Sequence, residues 1–137
     1  MTTGGYTKPV PRPALPEHTK PFWDAAKRHE LILPRCKKCS RWHYYPREQC
    51  PFCLSQDLEW APASGKGRVW SYTTVYQPVN PAFRDDAPYN YVVIELNEGV
   101  HMISNVVNWQ GEPKEMPVDL PVEVVFLVVA GGQSRLV

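Results

Sequence analysis

The apolar residues between positions 19 and 29 recur with the period of an α-helix. One face of this helix has residues at i, i+3, i+4 and i+7, which are Phe22, Ala25, Ala26 and His29, and Trp23 lies beside it. Thr19 is placed to cap the helix, and Pro21 falls in its first turn, where a missing N–H costs nothing. Because so short a helix is not stable alone, its apolar face must pack either on its own domain or on a partner subunit.

After Gly65 and Gly67 the pattern changes to long runs of β-branched and aromatic residues, which are typical of strands. We expect strands at residues 68–76, 91–96, 100–107, 122–129 and 134–137, and two shorter ones before the glycines at 31–33 and 42–45. Asn97-Glu98-Gly99 is the expected hairpin turn between two of them. Strands without crossover helices predict an antiparallel sheet. Because the run at 122–129 is apolar on both faces, it needs cover on both sides, and a five-stranded OB-fold barrel is the smallest closed arrangement that fits.

The four cysteines form two pairs, Cys36 with Cys39 and Cys50 with Cys53, and ten residues separate the pairs. Two residues within a pair allow a tight turn that points both thiolates at one spot, and two such turns supply a tetrahedral set of four sulfur ligands. The pattern predicts one structural zinc ion with no position open for a substrate. Iron uses the same ligands and is one alternative. A redox pair or two disulfides are others, although the sequence shows no secretory signal and we expect a reducing compartment.

These patterns predict a mainly β protein in three segments. Residues 1–18 form a proline-rich, flexible arm, residues 19–63 hold the short helix and a rubredoxin-like zinc ribbon, and residues 64–137 form the five-stranded antiparallel OB-fold barrel. The 15 prolines among 137 residues favour a loop-rich β protein over a helical bundle. No apolar run approaches the roughly 18 residues of a membrane span, so we expect a cytoplasmic protein.

Charge is unevenly distributed along the chain. Residues 1–50 hold ten Lys and Arg against four Asp and Glu, whereas residues 51–137 hold five against ten. The basic half carries five cations among aromatic residues: Arg35, Lys37, Lys38, Arg41 and Arg47. This cluster leaves three interpretations open: a contact for CoA phosphates or an acidic partner, a solvated face, and a zinc-ribbon/OB-fold nucleic-acid-binding module. The acidic strand-rich half argues against nucleic acid, because a nucleic-acid groove should be positive.

The sequence offers no catalytic constellation that would make the chain an enzyme by itself. Metal ligation uses every cysteine, so no thiol is left as a nucleophile. The histidines His18, His29, His43 and His101 are scattered over different predicted elements. His101 follows the hairpin turn and could face a ligand, but a single strand histidine is more often a structural hydrogen-bonding group.

The order of these features resembles one known family. They are Phe22-Trp23 in a helix, the two cysteine pairs, Gly65-x-Gly67-x-Val69, a proline-rich loop ending at Ala87-Pro88-Tyr89, and Leu120-Pro121-Val122. Together they are similar to the zinc-ribbon/OB-fold family of acyl-CoA-associated proteins, long called domain-of-unknown-function family thirty-five. The resemblance covers residues 19–137.

The resemblance implies a subunit that docks on a thiolase-like enzyme of the sterol-carrier type and helps to hold its CoA ester. It also implies that such a complex makes or breaks C–C bonds, as in thiolysis or the retro-aldol cleavage of CoA-activated steroid side chains. The chain would then be a required, non-catalytic subunit of an acyl-CoA thiolase or aldolase (lyase) complex.

Residues 77–89 are the expected contact for the partner or the acyl-CoA, because this loop is too long for a tight turn and is rich in proline and aromatic residues. Its candidate contact residues are Phe83, Arg84 and Tyr89, and Tyr72, Thr74 and Tyr76 alternate along the preceding strand. Alternatively, Phe83 and Tyr89 plug the end of the barrel.

The sequence departs from the family pattern in the two cysteine turns. The family usually places glycine after the second cysteine of each pair, where a positive φ helps the turn, but Ser40 and Leu54 stand there in this chain. We therefore expect the second turn, at Leu54, to have a different backbone or an added packing contact.

Overall fold

The structure is a computed structural model that describes residues 5–6, 16–109, 111–129 and 134–136. Its strands are β1 (Gly5–Tyr6), β2 (Ile32–Cys36), β3 (Leu58–Pro62), β4 (Lys66–Val75), β5 (Tyr89–Leu96), β6 (His101–Ser104), β7 (Pro121–Glu123), β8 (Phe126–Val129) and β9 (Ser134–Leu136). The α-helix is α1 (Lys20–Lys27), and 3-10 helices span Glu17–Thr19, Pro81–Asp86 and Pro113–Glu115. None of the helices in the described part of the chain has the length and apolarity that crossing a bilayer requires.

The strands form three sheets within the described residues. The strands β2 and β3 form an antiparallel pair, and a four-stranded antiparallel sheet has the order β6-β5-β4-β7. The third sheet contains β8, which pairs antiparallel with β9 and parallel with β1. The predicted mainly β class with antiparallel sheets is confirmed. The predicted arm over residues 1–18 lies largely outside the described residues.

The helix α1 begins and ends close to the predicted positions and packs on its own domain. Phe22, Ala25 and Ala26 are buried, and Phe22 and Ala26 belong to the main hydrophobic core. The helix is therefore held by apolar burial against the rest of the chain. Thr19 occupies the predicted N-cap position, but its side chain makes no capping bond, because the hydroxyl donates to the Pro16 carbonyl at 2.7 Å. His29 lies just after the helix, exposed, and its ring stacks on that of buried Phe126 at 5.4 Å.

The predicted strand at 42–45 is wrong. Trp42 makes only an isolated bridge with Arg35, and the antiparallel partner of β2 is β3, which the sequence analysis did not predict. The aromatic residues of 42–45 serve packing rather than strand pairing. The Tyr44 ring lies 6.1 Å from Phe22 under the helix and stacks on Tyr45 at 4.4 Å.

The predicted strand at 122–129 is divided between two sheets. Its first part is β7, which pairs with β4, and its second part is β8, which pairs with β1 and β9. At the break, the Val124 amide donates to the Gly65 carbonyl at 2.7 Å. The run passes from one sheet to the other at this point, and along it Val122, Val124 and Val125 are half-buried while Phe126 is buried.

The predicted strands at 31–33, 68–76, 91–96 and 134–137 are confirmed within a few residues, whereas the one at 100–107 ends early, at Ser104. Two glycines shape the hairpins. Gly99 has φ +87° in the turn between β5 and β6, where its amide donates to Leu96 at 2.8 Å. Gly67 lies on β4 at a point where a Cβ atom would collide with the Glu95 carbonyl and come within 3.0 Å of the Leu96 Cα of β5. The strands β4 and β5 can approach this closely only because residue 67 has no side chain.

We predict that Gly67→Ala destabilises the protein more than Gly99→Ala. A Cβ at position 67 must displace backbone, which costs about 2–4 kcal/mol, since overpacking against a rigid neighbour is at least as costly as in a core. At position 99 nothing lies within 4 Å, so the cost is only the left-handed backbone strain of about 1 kcal/mol. Urea unfolding followed by circular dichroism measures both, and equal effects would contradict the close-approach explanation.

Candidate metal centre and contact surfaces

The four cysteine sulfur atoms converge on one point. All four Sγ atoms lie within 4.8 Å of one another, and the Cys36–Cys53 and Cys39–Cys50 sulfur pairs are each 3.6 Å apart. A tetrahedral zinc ion with bonds of about 2.3 Å would place its sulfur ligands about 3.8 Å apart. The geometry of the donor set therefore fits zinc with four thiolates and leaves no ligand position open, as expected for a structural metal.

Two equivalent backbone turns aim these sulfurs. In the first, the Ser40 amide donates to the Cys36 carbonyl at 2.9 Å, and in the second the Leu54 amide donates to Cys50 at 2.9 Å. Ser40 and Leu54 both have φ +62°. The expectation of a different backbone or an added contact at Leu54 is wrong, because its backbone matches that of Ser40 and its side chain is 71% exposed. Both residues adopt the left-handed conformation that glycine favours.

Backbone amides prepare two of the thiols for ionisation. The Cys39 amide donates to the Cys36 sulfur at 3.4 Å and lowers the pKa of that thiol. Burial opposes ionisation of Cys50, but hydrogen bonds from the Cys53 and Phe52 amides outweigh it and lower the pKa of Cys50 to about 7. Because zinc binds the thiolate, these amides favour the ligand form that the metal needs.

The ribbon ties this centre to β2 and β3. Cys36 is the last residue of β2, and its amide donates to the Arg41 carbonyl at 2.9 Å, while the Lys37 amide donates to Asp57 just before β3. His43 lies in the connecting segment, buried, with neither ring nitrogen bonded to a described residue. Burial, and then the charge of Arg47, lower the pKa of His43, so its ring is neutral at pH 7. It does not belong to the sulfur set.

Part of the basic cluster contacts the ribbon itself. The Arg41 guanidinium lies 4.7 Å from the centre of the Phe52 ring, and Arg35 lies 5.5 Å from Trp42. Lys37 forms an exposed ion pair with Asp57 at 3.8 Å. These contacts order the cations on the ribbon surface, although exposed pairs of this kind contribute little stability.

The structure separates the predicted contact residues of β4. Tyr72 and Thr74 share one face, as predicted, but they are half-buried, and the Tyr72 hydroxyl donates to the Lys114 carbonyl at 2.8 Å. Tyr76 follows the end of β4 and is 64% exposed.

The loop at 77–89 is ordered by its own 3-10 helix at Pro81–Asp86. Asn80 caps this helix, because its Oδ1 accepts from the Ala82 amide at 2.9 Å. Phe83 and Tyr89 are half-buried, whereas Arg84 and Val79 are exposed. The loop joins β4 to β5, so it lies at the end of the hairpin opposite Gly67.

An exposed apolar surface on the four-stranded sheet was missed by the sequence analysis. Tyr91 and Val93 alternate with buried Val92 and Ile94 along β5, so they lie on the outer face, and their ladder partners Thr73 and Ile103 share it. Trp70 follows buried Val69 on β4 and also faces outward. Trp70, Tyr91 and Ile103 are 47%, 43% and 43% exposed. We call Trp70, Tyr91, Val93 and Ile103 the outer-face patch. Only strand register reveals it, although the apolar Tyr-Val-Val-Ile run at 91–94 was a signal that both faces need cover.

His101 belongs to a surface network beside this patch. Its Nε2 lies 3.0 Å from the Glu95 carboxylate, which also accepts from Arg68 at 3.0 Å, and its ring lies 4.8 Å from Trp70. The hydrogen bond from His101, and then that from Arg68, lower the pKa of Glu95. The structural interpretation of His101 is confirmed, since its ring joins β5 to β6.

We predict that Leu54→Gly stabilises the ribbon. Glycine relieves left-handed strain of about 1–2 kcal/mol, part of which is offset by the greater freedom of glycine in the unfolded chain, so the melting temperature should rise by a few degrees. Thermal unfolding at fixed free zinc measures the change. Leu54→Ala is the matched control, because it removes the same exposed side chain and keeps the strain. If Leu54→Ala raised the melting temperature as much as Leu54→Gly, the strain explanation would be contradicted.

We also predict one zinc ion per chain and its loss in Cys50→Ser. Metal-binding energy is folding energy in such ribbons, so hydrogen exchange should accelerate in α1, β2 and β3 when zinc is lost. Elemental analysis and hydrogen exchange make the two measurements. Ser55→Ala, two residues beyond the last cysteine, should keep the metal. A reduced sample that holds no zinc and keeps the ribbon protected would contradict a structural metal.

Comparisons with known proteins place this architecture in a family. Residues 23–59 match the family model "ChsH2, rubredoxin-like zinc ribbon domain", and residues 60–127 match "ChsH2, C-terminal OB-fold domain". The solved structure "Ltp2-ChsH2(DUF35) aldolase" superposes with a TM-score of 0.80 and 30% identity, covering 91% of this chain and 95% of that one. A DUF35-family structure from Sulfolobus solfataricus, with a TM-score of 0.56 and 17% identity over 80% of this chain and 77% of that one, shares the fold.

Curated relatives agree with these matches. A DUF35 domain-containing scaffold protein of Methanocaldococcus jannaschii is 36% identical over 73% of this chain and 70% of its own length. A probable enoyl-CoA hydratase alpha subunit of Thermomonospora curvata is 33% identical over 85% of this chain, which spans only 35% of that relative. The benzoylsuccinyl-CoA thiolase subunit BbsA of Thauera aromatica is 27% identical over 73% of this chain and 65% of its own length.

The predicted zinc ribbon, OB-fold and family resemblance are confirmed by these matches. The chain belongs to the DUF35 family of ChsH2-type proteins, which join a rubredoxin-like zinc ribbon to an OB-fold domain.

Proposed function

We propose that this chain is a cytoplasmic, non-catalytic accessory subunit that docks on a thiolase-like enzyme and helps to bind its CoA-ester substrate. The reaction of the complex would make or break a C–C bond, by thiolysis or by retro-aldol cleavage, in the degradation of lipid or steroid side chains. The observation that carries the proposal is the similarity, over 91% of this chain, to the solved structure of the Ltp2-ChsH2(DUF35) aldolase. The relative named as a thiolase subunit supports the same class of partner.

The chemistry of the described side chains supports an accessory role. All four cysteines form the sulfur set, so they serve the fold. His43 is buried and neutral, and His101 is bonded to Glu95. The structural roles of these groups favour a chain that supplies surface and position, while the partner supplies the reacting groups.

The outer-face patch and the adjoining loop supply a surface for docking. Apolar side chains on the outer face of β4, β5 and β6 lead toward the loop, where Tyr76 and Val79 are exposed. Clusters of exposed aromatic and aliphatic residues mark protein contact sites, because burying them against a partner releases water. The order of the loop, imposed by Asn80, lowers the entropy that binding would cost.

A CoA ester bound beside this surface would meet cations of this chain. Arg84 is exposed within the loop, and the zinc ribbon carries the basic cluster. The phosphate groups of CoA prefer cationic donors such as Arg84. The candidate contacts of the loop are therefore Arg84 with its neighbours Phe83 and Tyr89. On and just after the strand before the loop they are Tyr72, Thr74 and Tyr76.

The test has two stages. Affinity purification of the chain from its native cell, with mass spectrometry, identifies the enzyme that accompanies it, and a purified pair then gives the dissociation constant. The proposal predicts a thiolase-like enzyme. Recovery of nucleic acid, or of an enzyme outside this class, would contradict it.

For the purified pair we predict that Val79→Lys and Ile103→Lys each weaken binding at least tenfold. A buried lysine charge in an apolar contact costs more than the roughly 1.4 kcal/mol that a tenfold change represents. Val118→Lys is the matched control, because Val118 is also exposed, at 58%, but lies outside the patch and the loop. Zinc content and melting temperature should stay unchanged in all three. Wild-type affinity in both test variants would contradict docking through this surface.

A further inference from the structure

A cavity of about 350 Å³ lies against the inner face of the four-stranded sheet. On one side it is lined by residues of β5 and β6, and on the other by the segment at 120–125 where β7 ends. Its apolar walls are formed by Ile94, Leu96, Met102, Leu120, Val122 and Val124. The volume falls within the range of roughly 300–1,000 Å³ that is typical of small-molecule sites.

The walls of this cavity are held apart by backbone bonding. β5 pairs with β4 and β6 on its two edges, so Ile94 and Leu96 cannot move inward without breaking strand pairs. On the opposite wall the Val124 amide is bonded to Gly65 at 2.7 Å, and Val122 is paired with Gly67. The space is therefore preformed, and a ligand entering it would not have to reorganise the fold.

Among the described residues that line the cavity, Ser104 carries a buried polar atom without a hydrogen-bond partner. The Ser104 hydroxyl oxygen, at the end of β6, is buried and makes no hydrogen bond with a described residue. A buried hydroxyl without a partner is unfavourable, so a ligand group that bonds it gains affinity. Because a hydroxyl can donate, a carbonyl oxygen is a suitable partner.

The charge of the lining selects against anions. Among the described residues that line the cavity, Glu123 is the single charged residue, and no lysine, arginine or histidine is present. A carboxylate ligand would find no cation among these residues, and exposed Glu123 adds only further negative charge. A neutral ligand meets no such penalty.

We infer that this cavity binds the alkyl portion of a neutral carbonyl compound, an ester or a thioester, with its carbonyl oxygen accepting from Ser104. The site belongs to this chain alone, is separate from the docking surface, and does not depend on the proposed function. Alternation along β6 places Met102 in the cavity and Ile103 on the outer face, so the two surfaces can be tested independently.

The direct test uses the zinc-loaded full chain and methyl decanoate as the probe. Saturable binding is expected by calorimetry, with nuclear Overhauser contacts between the probe and the methyl groups of Met102 and Val124. Decanoate at pH 8 should bind at least tenfold more weakly than the ester. Failure of the ester to bind, or tighter binding of decanoate, would overturn the inference. Contacts of these methyl groups with another segment of the same chain would overturn it too, because the space would then be filled internally.

Two variants, each with a matched control, test whether the probe binds in the cavity. Val122→Phe fills it and should weaken binding at least tenfold, whereas Val118→Phe makes the same change at an exposed position and should not. Ser104→Ala should weaken binding roughly three- to tenfold, the range of one neutral hydrogen bond, and Ser71→Ala on the outer face should have no effect. If Val122→Phe fails to fold, the contacts in the wild-type chain still decide the question. Wild-type affinity in folded Val122→Phe would overturn the inference.

Decanoyl-CoA distinguishes two sources of the alkyl chain. Displacement of methyl decanoate by decanoyl-CoA, in competition with CoA alone as the control, would support the site as an acyl-thioester site. Binding of the ester without displacement by decanoyl-CoA would support it as a site for a free neutral ester.

Discussion

Convergence of four thiolates on one metal ion is the constraint on which the zinc-ribbon half depends. The ribbon consists of one short helix, the two-stranded sheet of β2 and β3, and the connecting segment between the cysteine pairs. So small a unit buries too little apolar surface to close by itself, and a metal supplies the missing stability. By fixing Cys36 at the end of β2, the metal also fixes where α1 lies, because Phe22 and Leu33 share one core. The turns that point the sulfur atoms at the metal require a left-handed backbone at Ser40 and Leu54, although neither residue is glycine.

The sequence predicted what depends on local spacing. Two residues between cysteines are enough to define a turn, so Cys36, Cys39, Cys50 and Cys53 were assigned correctly, and Gly99 marked the hairpin between β5 and β6. The wrong strand at 42–45 depended on distant parts of the chain. Trp42 and Tyr44 pack against the hydrophobic core, Tyr44 beside Phe22 of α1, and composition alone does not distinguish that role from a place in a sheet.

The run at 122–129 shows the same limit in another form. Its apolar positions correctly indicated a segment that needs cover on both sides, but the break at Val124 is set by a hydrogen bond to Gly65, nearly sixty residues earlier. Neither the cavity nor the outer-face patch could be predicted, because both depend on strand register. Val93 and Ile103 share one face because they are paired, and the register shift between Val69 and Ser71 leaves Trp70 and Ser71 exposed in succession, where strict alternation would turn one of them inward.

Apolar residues on both faces of the central strands give one sheet two separate surfaces. In a strand, neighbouring side chains point to opposite faces, so Met102 contributes to the interior while Ile103 contributes to the outer-face patch. The network of Arg68, Glu95 and His101 holds β4, β5 and β6 together from the outer side without occupying the interior. A rigid sheet of this kind can contact a partner on one face and a small apolar ligand on the other, and its paired strands keep the geometry of each face independent of whether the other is occupied.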